Sequence, residues 1–185
     1  ECANTRGLRV TGSELVGLVP KKVLIEAGKY FLRKQERSVG VSEMEIMKIA
    51  VKSMGLDELA PFDPRKKVIE YLLEDESSNP LVNMKLNAFA DETASESPAP
   101  GGGSISAYVG ALGVSLGTMV ANLSAHKRGW DDKWNYFSEA ADKGQALKDQ
   151  LVHLVDEDTR AFNKIMESIR LPKGTDEEKA LRIEA

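Results

Sequence analysis

A mainly α fold with a small α+β part at the N-terminus is predicted by three observations. Apolar residues recur at helical spacing over most of the chain, extended β-branched runs occur only before Pro20, and every periodic segment after Pro80 reads as helix. The two extended runs are Leu8-Arg9-Val10-Thr11 and Glu14-Leu15-Val16-Gly17-Leu18-Val19, broken by Gly12. No other segment reads as a partner strand, and unpaired strand edges are rarely stable alone. The polypeptide is therefore expected to begin upstream of Glu1.

Helical signals follow in order. Pro20 suits a first helical position, with Val23, Ala27, Tyr30 and Phe31 on one face. Ser42 and Glu45 have capping-box spacing ahead of Ile46, Ile49, Ala50 and Met54. Asp63-Pro64 starts a third helix bearing Val68, Ile69, Leu72 and Leu73. Glu74 to Pro80 has linker composition, giving an expected first domain over 1–76, a linker over 77–80 and a second domain over 81–185.

In the second domain a helix is expected from about Leu81 to Glu96, then another after Gly101-Gly102-Gly103. That second helix has a large apolar stripe of Ile105, Val109, Leu112, Leu116, Met119 and Leu123. Small residues (Ala107, Gly110, Gly113, Gly117, Ala121) occupy other positions, where a neighbouring backbone can come close. No charged residue lies between Ser97 and His126, which is long enough to span a bilayer. The prolines, glycines, serines, Thr118 and Asn122 within it favour a soluble, buried core helix instead. A long helix should run from about Asp131 to Ile169, with Asp158 in its apolar stripe between Leu154 and Phe162.

Composition narrows the function. The 185 residues carry a net charge of -4, a pI near 5.4 and a mean hydropathy of -0.31, with no basic field for nucleic acid. The single cysteine, Cys2, cannot form an internal disulfide, and the N-terminus lacks signal-peptide regions, so a cytoplasmic location is expected. One cysteine and two distant histidines, His126 and His153, make no metal-ligand spacing. Neither a metal nor a resident cofactor is expected.

Three segments stand in a specific order: Ser97-Pro98-Ala99-Pro100-Gly101-Gly102-Gly103-Ser104, Leu154-Val155-Asp156-Glu157-Asp158 and Leu171-Pro172-Lys173-Gly174-Thr175. In that order they resemble the cyclodeaminase family, which also includes methenyltetrahydrofolate cyclohydrolases. Upstream, Thr11 to Pro20 and Pro61-Phe62-Asp63-Pro64-Arg65 look like the C-terminal subdomain of glutamate formiminotransferase. The resemblance implies an incomplete transferase subdomain followed by an all-helical cyclodeaminase-type bundle, truncated at both ends. It also implies a bifunctional folate enzyme of histidine degradation. Such an enzyme moves a formimino group from formiminoglutamate to tetrahydrofolate, then closes the product to methenyltetrahydrofolate with loss of ammonia.

The partners implied are polyglutamylated tetrahydrofolate as substrate and copies of the same chain in an octamer, with neither nucleic acid nor membrane. The transferase histidine lies outside the chain, and the chain by itself is expected to be inactive. Gly101, Gly102, Gly103 and Ser104, at a helix N-terminus with unpaired N–H groups, are expected to meet the folate. The resemblance places the catalytic aspartate at Asp158, and Asp156 reads as a solvated or supporting acid. The alternatives are a cyclohydrolase on the same helical fold and a non-catalytic helical assembly module. The transferase-like segment favours the bifunctional reading over the first, and an acid inside an apolar stripe argues against the second.

Overall fold

The computed structural model describes residues 3–9, 15–74, 78–175 and 182. It is mainly α. Among the described residues the α-helices follow in the order α1 (Lys21–Lys34), α2 (Glu43–Ser53), α3 (Pro64–Lys67), α4 (Ile69–Leu72), α5 (Leu86–Thr93), α6 (Gly102–Ala125) and α7 (Trp134–Arg170). The expected β part is corrected: Leu8, Arg9 and Leu15 to Val19 form no strand, and no strand occurs among the described residues. Val10 to Glu14 lie outside the described residues. The physical reason is the missing partner, since Val16 and Leu18 are 89% and 83% exposed with no neighbouring strand to take their backbone groups.

The chain divides into two compact units, one of Glu1–Glu74 with Leu116–Gln145 and one of Asp75–Ser115 with Ala146–Ala185. In the first, Leu24, Met47, Ala50, Val68 and Tyr71 form one apolar cluster and Leu32, Val39 and Ile46 a second. The buried face of α1 is Leu24, Gly28 and Leu32, not the expected Val23, Ala27, Tyr30 and Phe31. Gly28 decides this, because a Cβ there would run into the backbone of Ile46, so only a glycine lets α2 pack so closely. Ser42 caps α2, its hydroxyl accepting from Glu45 N–H at 3.4 Å, and Asp63 caps α3, accepting from Arg65 N–H at 3.1 Å. The third helix is broken at Val68, whose extended backbone (φ -92°, ψ 117°) separates α3 from α4.

Glu43 ties these helices together, accepting from Lys21 Nζ at 2.9 Å and Tyr71 Oη at 2.8 Å. Burial pushes its carboxyl up, but the bonds from Lys21 and Tyr71 and the Lys21 charge outweigh that and hold it below the usual carboxylate range. Burial and the Glu43 charge in turn push the Tyr71 phenol up. A depressed folded-state value contributes stability above the unfolded pKa, and that contribution disappears as pH falls through the folded value. Denaturation at about pH 6 and about pH 3.5 should therefore show a larger loss for the native chain than for Glu43→Gln. An equal loss would show that Glu43 is not linked to folding.

The same unit docks the Ser38-Val39-Gly40 loop against parts of α6 and α7. Gly40 carbonyl accepts from Asn122 Nδ2 at 2.7 Å and Gln145 Nε2 at 3.1 Å, while Val39 N–H donates to Ser138 Oγ at 2.9 Å. Ser38 Oγ donates to Asn122 Oδ1 at 2.6 Å, and Lys29 Nζ pairs with Asp142 at 2.8 Å.

In the second unit α6 and α7 run antiparallel: Ser104 meets Val155 and Asp158, and Gly110 faces Leu151. Along α6 the buried positions are Ser104, Ala111, Thr118 and Ala125, a seven-residue repeat of small side chains. The large stripe expected in the core is exposed in this chain: Val109 is 61%, Leu116 61% and Leu123 67% accessible. Small faces let two helices approach closely, and here that contact takes precedence over burial of the large side chains. The 24 residues of α6 are long and apolar enough to cross a membrane by length and composition. The helix expected from Leu81 starts later, at Leu86, because Leu81 and Val82 form a turn held by a side chain of α7.

Candidate active site

The N-terminus of α6 and one turn of α7 make the site. Gly101, Gly102 and Gly103 line a cleft of about 300 Å3 with Pro98, Asp158 and Phe162. Asp158 Oδ2 accepts from Ser104 N–H at 2.9 Å, and Ser104 Oγ lies 3.2 Å from the same oxygen. A carboxylate at a helix N-terminus satisfies one of its orphan donors and complements the helix dipole. Gly101, Gly102, Gly103 and Asp158 thus line one cleft, whereas Ser104, expected to meet the folate, is buried behind them with its N–H on Asp158. Asp158 itself is exposed in this chain, as are its stripe neighbours Leu154 and Phe162.

The three glycines are not equivalent. A Cβ on Gly102 would meet nothing within 4 Å, so that residue opens onto the cleft. A Cβ on Gly103 would collide with both carboxylate oxygens of Asp158. Gly103 is therefore the position that needs glycine to seat the acid, and Gly102 the position that leaves room for a ligand.

Asp156, read from the sequence as a solvated or supporting acid, is not solvated. It is 2% exposed, and its oxygens accept from Leu81 N–H at 2.9 Å and Val82 N–H at 3.1 Å. One turn on, Arg160 donates to the Ser78 carbonyl at 2.7 Å and to Glu157 at 2.9 Å. The i,i+4 spacing of Asp156 and Arg160 was the sequence signal for one face gripping the 78–82 segment. Burial and its two bonds from backbone N–H groups make Asp156 a structural acid, while the bond and charge of Arg160 hold the Glu157 carboxyl below the usual range. Asp156→Ala should destabilise the chain by about 2–4 kcal/mol, since the buried Leu81 N–H and the part-buried Val82 N–H lose their acceptor. Urea denaturation measures it, and a change under about 0.5 kcal/mol would contradict the role.

His153 lies on an exposed face, its Nε2 3.6 Å from Glu157, and His126 is exposed. Among the described residues no group of His, Cys, Asp and Glu side chains could hold a metal ion. A second cavity of about 200 Å3, lined by Leu81, Met84, Leu86, Phe89, Tyr108 and Val155 among others, has no charged side chain. Thr159 and Phe162, which complete the main cleft, carry no signal in the sequence beyond lying one and four residues after Asp158.

Fold and site together define a helical protein in which a glycine-rich helix start faces an aspartate on an antiparallel helix. Residues 85–185 match the family described as Formiminotransferase-cyclodeaminase, and residues 1–74 match the Formiminotransferase domain. The chain belongs to the formiminotransferase-cyclodeaminase family. It is 39% identical over 187 residues to Formimidoyltransferase-cyclodeaminase of Gallus gallus, a match covering 100% of this chain and 34% of that protein. The corresponding protein of Mus musculus is 40% identical over 97% of this chain and 33% of its own length. Methenyltetrahydrofolate cyclohydrolase of Methylorubrum extorquens is 37% identical over 54% of this chain and 48% of its own length. The chain thus spans about a third of the length of the bifunctional relatives it matches.

Proposed function

We propose that this chain is part of a bifunctional folate enzyme of histidine degradation. The enzyme transfers a formimino group from formiminoglutamate to tetrahydrofolate and then cyclises 5-formiminotetrahydrofolate to 5,10-methenyltetrahydrofolate with release of ammonia. The observation that carries the reading is the match of both family segments in one chain, with the glycine start of α6 seated on Asp158 in the second. In this reading Asp158 is the acid–base group. It takes the proton from the attacking N10 of the folate and delivers a proton to the departing amine. Gly101 and Gly102 offer backbone N–H groups and space to an anionic folate, and Ser104 fixes the acid from behind. The substrate is tetrahydrofolate in polyglutamylated form, no resident cofactor takes part, and the enzyme is a cytoplasmic homo-oligomer.

The cyclohydrolase relative covers 54% of this chain, against 97% or more for the formimidoyltransferase-cyclodeaminases of Gallus gallus and Mus musculus, and the transferase match over 1–74 favours the bifunctional reading. The test supplies the polypeptide of full family length with formiminoglutamate and tetrahydrofolate. Release of ammonia together with methenyltetrahydrofolate supports the proposal. Hydrolysis of methenyltetrahydrofolate with no formimino transfer would support the cyclohydrolase instead.

A further inference from the structure

Ser104 is fully buried, at 0% exposure, so its side chain does not face the cleft. Its backbone N–H donates to Asp158 Oδ2 at 2.9 Å. Its hydroxyl oxygen has three polar neighbours: the Val155 carbonyl at 2.7 Å, Asp158 Oδ2 at 3.2 Å and Thr159 Oγ1 at 3.2 Å. A hydroxyl has one proton and two lone pairs. It can donate fully to the Val155 carbonyl or to Asp158 Oδ2, while Thr159 donates to it in either case. Charge decides between the two acceptors, because a bond to an ionised oxygen is about twice as strong as one to a neutral oxygen. Asp158 Oδ1 takes no hydrogen bond from any described residue and lies over Gly103 beside the cleft.

Resting on the reading of Asp158 as the acid–base group, we propose that Ser104 is a positioning residue whose hydroxyl proton follows the charge of that carboxyl. While Asp158 is ionised the hydroxyl turns to Oδ2, and when the carboxyl gains a proton it turns to the Val155 carbonyl. Oδ2 is held throughout by Ser104 N–H, so Oδ1 is the oxygen that exchanges protons with the substrate. In cyclisation N10 of the folate bonds to the carbon of the protonated formimino group, the C=N π pair moves onto the formimino nitrogen, and the N10–H breaks as an O–H forms on Oδ1. The C–N bond to the amine then breaks with its electron pair on nitrogen, and the Oδ1 proton passes to it, releasing ammonia. Asp158 ends as it began, and the buried hydroxyl keeps an acceptor in both states.

The experiment uses the polypeptide of full family length. Ser104→Ala removes the hydroxyl but keeps the N–H, and it should lower kcat for cyclisation about 10- to 100-fold, the scale of losses from misplaced reacting groups. KM for formiminotetrahydrofolate should stay within about twofold, since the ground-state contacts are untouched. Thr159→Val should lower kcat in the same direction, and Thr159→Ser, which keeps the hydroxyl, should restore it. Unchanged kcat in Ser104→Ala, a loss seen mainly in KM, or equal impairment by Thr159→Ser and Thr159→Val would overturn the assignment. Should Ser104→Ala fail to fold by circular dichroism, the Thr159 pair decides. Asp158→Asn in the same assay separates the two claims. If it cyclises normally, the reading of Asp158 falls, whereas an inactive Asp158→Asn beside a fully active Ser104→Ala removes Ser104 alone.

Discussion

Asp158→Asn, in the polypeptide of full family length, lowers formation of methenyltetrahydrofolate by roughly 10²–10⁴-fold, the usual contribution of a positioned acid–base group. Under the proposed function, formimino transfer should continue at its native rate, because that step is assigned to residues outside this site. The substitution is chosen for its shape. An asparagine oxygen can still accept from Ser104 N–H, which Asp158 Oδ2 now takes at 2.9 Å, so the start of α6 keeps its partner. What is lost is the second carboxylate oxygen, over Gly103. A folded variant that cyclises normally would remove the acid–base role. Equal loss of cyclisation and transfer, with a lowered melting temperature, would make Asp158 a structural residue like Asp156.

A large effect on stability is expected at Gly40. A Cβ there would collide with the side chain and backbone of Ala141 and with the backbone of Asp142. Backbone cannot rotate aside as a long side chain can, so Gly40→Ala must push the loop off α7. The Asn122 and Gln145 bonds to the Gly40 carbonyl would weaken with it. Overpacking of this kind costs about 3 kcal/mol, equivalent in a chain of this size to a melting temperature lower by roughly 6–12 °C. Gly113→Ala is the control, since a Cβ there meets nothing within 4 Å and helix propensity favours alanine by up to about 1 kcal/mol. If both substitutions leave the melting temperature unchanged, the loop is not docked as described. Gly40 lies in the transferase-matched segment and Ala141 in the cyclodeaminase-matched one, so its loss would also show that the two matched segments support each other's folding.

Local signals were the legible part of the sequence. Ser42 and Asp63 stand where caps were expected, because a cap needs only a short side chain and its own next residues. The glycine run and Asp158 were brought together by family resemblance; spacing alone gives no reason for residues 54 positions apart to touch. Helix faces were less legible. The α1 face is displaced by the close approach that Gly28 allows, and the large stripe of α6 has the spacing of a core yet is exposed, because periodicity shows a stripe without showing what covers it. Asp156 and Asp158 look alike in sequence, two residues apart on one helix. Only their partners separate them: two turn N–H groups bury the first, while a helix start holds the second at a cleft. The strands failed for a related reason, since β-propensity at Leu15 to Val19 creates no sheet without a partner.

The most direct test of the central claim is a structure of the polypeptide of full family length with 5-formyltetrahydrofolate, a stable analogue of the formimino substrate. The ligand should lie in the cleft with its reacting nitrogen within about 3 Å of Asp158 Oδ1, the reach of a proton-transferring group, and an anionic group against the N–H groups of Gly101 or Gly102. A folate bound elsewhere, with Asp158 still closed on Ser104 and the cleft empty, would contradict it.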